Sequence, residues 1–94
     1  MGAALERFRL DGRVALVTGG GGAIGTAIAG GFAEVGAAVL IADRNAEAAQ
    51  ATVRAARDVG ADALAVAGDV TIEADVARTV GAAVERWGRI DVLA

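Results

Sequence analysis

The chain has 94 residues, of which 55% are hydrophobic but only 3% aromatic, and its formal charge is −3. That length suits one compact unit and is short for a domain that must also enclose a substrate, while the acidic balance argues against non-specific nucleic-acid binding, which needs a basic excess. The sequence holds no His, Cys, Tyr, Ser or Lys, so most side chains that transfer protons, attack carbonyls or bind transition metals are missing, and only a carboxylate-bound hard cation is left as a metal.

The leader Met1 to Arg13 has no apolar stretch of signal-peptide length, and Glu6 stands where an N-myristoylation motif needs Ser or Thr. No apolar run approaches the ~20 residues that span a bilayer. A cytoplasmic protein with neither a membrane nor a nucleic acid as partner is expected. Val14–Thr18 then reads as the first strand, unalternating as buried parallel strands are. It runs into Gly19-Gly20-Gly21-Gly22, which opens a helix over Ala23–Val35. A strand at Ala38–Ala42, a helix at Ala46–Val59, a strand at Ala63–Ala67, a helix at Ile72–Trp87 and a strand at Ile90–Ala94 follow. Gly36, Gly60 and Gly88 suit the left-handed position that ends each helix, and Asn45 and Thr71 stand where N-caps are useful. The β-α-β-α-β-α-β order implies an α/β fold with a parallel sheet and right-handed crossovers.

Helical stripes of Ile28, Phe32 and Val35, of Val53, Ala56 and Val59, and of Val76, Val80, Val84 and Trp87 are expected to face the core. Gly30-Gly31 lies inside the first helix, where each glycine costs ~1 kcal/mol relative to alanine. Close packing on the sheet is the expected compensation.

The chemistry is concentrated at the glycine loop. A helix N-terminus with exposed N–H groups solvates a phosphate when no side chain blocks its approach, and Gly19, Gly20, Gly21 and Gly22 supply that clearance. Gly25 lets the helix come close to the first strand or to a pyrophosphate. Asp43 ends the second strand eighteen residues after Gly25, where a carboxylate can accept both hydroxyl protons of an adenosine ribose. It favours NAD over NADP, because a 2′-phosphate would meet a like charge. Arg44 beside it is a possible 2′-phosphate ligand and leaves NADP as the lesser alternative. Asp69-Val70 follows the third strand at the same sheet edge, where the acid can hold an adenine amino group and the valine its face; a helix-capping aspartate before Thr71 is the other reading. Glu34, Glu47, Asp58, Asp62, Glu73, Asp75 and Glu85 are expected mostly on solvated faces.

With Thr18-Gly19, the glycine loop, Asp43, Gly68-Asp69-Val70 and the ending Trp87-Gly88-Arg89-Ile90-Asp91-Val92-Leu93-Ala94 in place, the chain resembles the short-chain dehydrogenase/reductase family over essentially its whole length. Gly19, Gly22 and Gly25 fit the TGxxGxxG spacing of the extended branch. The TGxxxGxG spacing of the classical branch also fits, with Ala23 in place of its middle glycine, and the Trp87–Ala94 segment favours that branch. The resemblance implies a partial Rossmann-type doubly wound parallel sheet with strand order 3-2-1-4. It also implies that residues 1–94 are the NAD(P)-binding N-terminal part of an oxidoreductase moving a hydride between nicotinamide and an alcohol or ketone. Gly19 to Gly22 and Ile24 would take the pyrophosphate, Asp43 the ribose, and Asp69 and Val70 the adenine. The family's catalytic Asn, Ser, Tyr and Lys would lie beyond Ala94, so a catalytically silent piece of a longer, homo-oligomeric enzyme is expected. Two other readings are a non-enzymatic NAD-binding or sensing module and a methyltransferase-type fold, against which Thr18 and Gly68-Asp69-Val70 argue.

Overall fold

An apolar run without alternation has to bury both of its faces, and the first strand does so: Val14, Ala15, Leu16 and Val17 are all buried. The computed structural model describes residues 9–19 and 21–94; the expected role of Gly20 lies outside them. Among the described residues seven elements alternate: β1 (Val14–Thr18), α1 (Ala23–Glu34), β2 (Ala38–Asp43), α2 (Ala46–Asp58), β3 (Ala63–Ala67), α3 (Glu73–Trp87) and β4 (Val92–Leu93). The strands form one parallel sheet in the order β3-β2-β1-β4, as the family resemblance implies. Thr18 pairs with Ala42, and Asp43 with Ala67. This register brings the carboxyl ends of β1, β2 and β3 to a single edge.

The two sheet faces are covered unequally. Val17, Val39 and Ile41 pack under α1 and α2 against Ala29, Ala33, Ala49, Val53 and Ala56. On the opposite face Leu16, Leu40 and Ala42 meet Ala83 of α3, with Trp87 and Ile90 partly buried beside them. Two helices therefore cover one face and one helix the other. No helix among the described residues is long and apolar enough to cross a membrane.

The expected core stripes need correction. Val53 and Ala56 are buried, but Ile28, Val59, Val76, Val80 and Val84 are exposed. Alanine supplies most of the buried helix positions, Ala29, Ala33, Ala49, Ala56 and Ala83, where a small side chain lets a helix sit near the strands. Val76 and Val80 instead border an apolar cavity of about 260 Å³, with Leu16, Ile90 and Leu93, on the face that α3 covers. Gly30 and Gly31 also differ from expectation: a Cβ added at either would meet nothing within 4 Å. Close packing does not require these glycines.

Element ends shift for identifiable reasons. Asp43 extends β2 by one residue, through its ladder position opposite Ala67. α1 and α2 stop one residue early, with Val35 and Val59 as C-caps, and Gly36 and Gly60 then take φ values of 95° and 91°. Asn45 caps α2 as expected, accepting from the Ala48 N–H at 3.1 Å. Thr71 does not cap α3; Ile72 holds that position, because the Thr71 amide and hydroxyl both donate to Asp69. β4 shrinks from Ile90–Ala94 to Val92–Leu93, yet its flanks stay tied to β1. The Asp91 carboxylate accepts the Val14 N–H at 2.8 Å, and the Ala94 carbonyl accepts both the amide and the hydroxyl of Thr18.

Candidate functional site

Gly19 leaves β1 at φ +66°, in the left-handed region, where a side chain would be strained. Its amide donates to Ala42 O at 2.7 Å, and its carbonyl accepts from Gly22 N at 3.2 Å, so the chain reverses tightly beside the end of β2. Gly22 is the N-cap of α1, with no side-chain cap, and no acid lies in the first turn of that helix. The other two helices differ: Asn45 and Glu47 occupy the start of α2, and Glu73 and Asp75 the start of α3. The positive end of α1 is thus left for a ligand's negative charge.

A phosphate-bearing ligand can approach a helix start only where side chains leave it clear. A Cβ at Gly19 would meet nothing within 4 Å, and at Gly22 only the Gly19 carbonyl at 3.6 Å. Ile24 projects from the first turn with 78% exposure, whereas Gly25 is buried. Gly21 faces another way. Its missing Cβ points at Ala48 of α2 and at Asp43, so its lack of a side chain serves packing and not clearance for phosphate.

Asp43 lies at the carboxyl end of β2, with Oδ2 accepting from Gly21 N at 3.0 Å and Oδ1 from Asn45 N at 2.8 Å. Its own carbonyl accepts from Gly68 N at 3.0 Å, which draws the Gly68-Asp69-Val70 turn to the same edge. Val70 is exposed. Asp69 Oδ1 takes both donors of Thr71, at 2.8 and 2.6 Å, and Oδ2 lies 3.6 Å from Arg44 Nε. The Thr71 hydrogen bonds, with Arg44 assisting, hold the Asp69 carboxyl below the usual carboxylate range. The glycine loop, Asp43, Arg44, Asp69 and Val70 are thereby brought together, with a cleft of about 310 Å³ between Arg44, Gly68, Asp69 and Asp75. A cavity of about 420 Å³ beside Arg13, Gly36, Asp62 and Trp87 lies at the opposite, amino end of the strands.

Sequence reasoning missed several supports. Asp75 is no solvated-face acid: its Oδ2 accepts the Asp69 amide at 2.9 Å and fixes the start of that turn. Arg78 donates to the Ala67 carbonyl just before it. Asp62 accepts from Arg86 and from the Trp87 indole, tying the end of α3 to the start of β3. The i, i+6 spacing of Asp69 and Asp75 across a helix start is a weak signal for the first of these. Contacts over 24 or 25 residues leave none.

Among curated proteins, the chain is 48% identical over 86 residues to a sorbitol dehydrogenase of Cereibacter sphaeroides, covering 92% of this chain and 32% of that protein. Among solved structures, an NAD+-bound xylitol dehydrogenase superposes with a TM-score of 0.85 at 42% identity, over 88% of this chain and 32% of that one. A 7α-hydroxysteroid dehydrogenase complexed with NADH and 7-oxo glycochenodeoxycholic acid gives 0.89 at 38%, over 94% and 34%. The chain spans about a third of the length of these relatives. The pattern of the family described as short chain dehydrogenase matches residues 13–94, and the chain belongs to that family.

Proposed function

We propose that the chain is the NAD(P)-binding N-terminal part of an oxidoreductase that transfers a hydride between nicotinamide and an alcohol or ketone carbon, with NAD preferred. One observation carries the reading: an uncapped helix start behind an open glycine cradle shares a sheet edge with the acid ending β2 and the Asp69-Val70 turn. Gly19, Gly22 and Ile24 would border the diphosphate, with Gly20 and Gly21 in the same loop and Gly25 bringing the helix close. Asp43 would accept the adenosine ribose hydroxyls, and Asp69 and Val70 would meet the adenine. The NAD-bound relatives support a nicotinamide cofactor. Arg44 is already drawn to Asp69, and Asp43 would repel a 2′-phosphate, so both favour NAD.

When bound, the nicotinamide supplies the hydride chemistry. The chain's own part is to bind and orient the adenosine and diphosphate. Having no Ser, Tyr or Lys, it would be inactive alone; in a longer protein, expected to be cytoplasmic and homo-oligomeric, other segments would supply the groups that act on substrate. Calorimetric titration with NAD, NADP and S-adenosylmethionine tests this. Saturable binding with NAD tightest is expected, and tightest binding of the methyl donor, or of none, refutes it.

A further inference from the structure

β3 ends the strand order β3-β2-β1-β4 and pairs only with β2 among the described residues. Val39 N donates to Asp62 O at 2.9 Å and Gly68 N to Asp43 O at 3.0 Å, so the even-numbered positions along β3 bond towards β2. In a parallel ladder the residues between them turn their N–H and C=O groups the other way, which leaves Ala63, Ala65 and Ala67 facing outwards. Such a row is a template for another strand. The strand's own sequence, Ala63-Leu64-Ala65-Val66-Ala67, has no charge and no proline to discourage pairing. Asp62 before it is already taken by Arg86 and the Trp87 indole.

We infer that Arg57 and Arg78 close this edge against strand addition by a second copy of the chain. Arg57, in the last turn of α2, donates through Nη2 to the Ala63 carbonyl at 2.9 Å. Arg78 of α3 donates through Nη2 to the Ala67 carbonyl, and Asp75 Oδ1, 3.6 Å from the same nitrogen, steadies it. The two helices lie on opposite faces of the sheet, so one guanidinium reaches the edge from each side. Ala63 and Ala67 are about 13 Å apart along a strand. An incoming strand would have to run about 4.8 Å from β3, through the space that the two guanidinium groups fill, and only Ala65 between them would stay open to it. Displacing either arginine also breaks a charge-assisted hydrogen bond, which is stronger than the neutral ladder bond that would replace it. Because the blocking groups come from the helices, β3 can keep the small apolar residues that pack on both faces: Ala63 and Ala65 on the α2 side, Leu64 and Val66 on the α3 side.

Sedimentation velocity and amide hydrogen exchange, each over a range of protein concentration, test this on the whole chain with Arg57→Ala, Arg78→Ala and the pair. Arg54→Ala, an exposed arginine of the same helix as Arg57, is the control for lost charge. Each substitution removes a positive charge from a chain of formal charge −3, which raises repulsion between copies and works against association. In the wild type and in Arg54→Ala, exchange at Ala65 should not depend on concentration. In the paired variant it should slow about tenfold from the dilute to the concentrated end, as a new ladder protects that amide, and a larger species should sediment. Should the pair fail to fold by circular dichroism, the single variants are read in the same way. A folded variant that loses stability to urea with no concentration dependence at Ala65 overturns the inference, because the arginines then only brace the helices. So does association that protects Val92 and Leu93 instead of Ala65, or protection at Ala65 that rises equally in the wild type or in Arg54→Ala.

Discussion

Replacing Val53 and Val80 by alanine, one at a time, separates two residues that occupy equivalent helical stripes in the sequence and different environments in the fold. Val53 of α2 is 0% exposed and packs among Val39, Ile41 and Ala63, whereas Val80 of α3 is 41% exposed. Valine to alanine removes two carbon atoms, at ~0.8 kcal/mol per buried CH₂. The transfer loss at Val53 is thus ~1.6 kcal/mol, and a residual cavity raises it to roughly 2–3 kcal/mol. At Val80 only about half of that surface is withdrawn from water and no closed cavity forms, so the loss is ~0.5–1 kcal/mol. For a chain of this size each kcal/mol moves Tm by about 4–8 °C. Urea unfolding followed by far-ultraviolet circular dichroism reads the difference directly. Equal losses at the two sites would refute the placement of Val53 in the closed core under α1 and α2 and of Val80 on a half-exposed side of α3.

Gly30→Ala and Gly31→Ala should each stabilise the chain by about 0.5–1 kcal/mol, since added methyls meet nothing and the unfolded chain loses freedom; a rise in Tm checks it, and a fall contradicts it. Asp91→Ala should lower Tm more than Asp91→Asn, because the amide can still accept the Val14 N–H; hydrogen exchange at Val14 should quicken most in the alanine variant. Acid should destabilise the fold. Hydrogen bonds from Arg86 to Asp62 and from Arg89 to Asp91 hold these carboxyls below the usual range. Their contribution is therefore complete above the unfolded value of about 3.9 and is lost as pH falls through the lower folded values. The urea midpoint should stay level from about pH 7 to 5 and drop below about pH 4, with a shallower drop in Asp62→Asn.

The alternation of strands and helices was legible because unbroken apolar runs, helix-ending glycines and the Asn45 cap are local signals. Strand order came from the family pattern, which the Trp87–Ala94 segment carries. The face of α3 was misread for a physical reason: the period of Val76, Val80 and Val84 reports an apolar stripe, not whether a layer lies over it. At the site, residue type and spacing located Asp43 and Asp69. They did not reveal that Asp75 holds the Asp69 amide, that Asp91 binds β4 to β1, or that Gly21 faces Ala48. Each of these depends on which side chain or backbone the folded chain brings into contact, and no local propensity encodes that.

The most direct test of the cofactor site is a titration of ¹⁵N-labelled chain with NAD, read residue by residue in amide spectra. Saturable shifts are expected at Gly19, Gly22, Ile24, Gly25, Asp43, Arg44, Asp69 and Val70, with Arg13, Gly36 and Trp87 at the opposite end unmoved. No saturable shifts, or shifts gathered at that opposite cavity, would contradict the placement of the site.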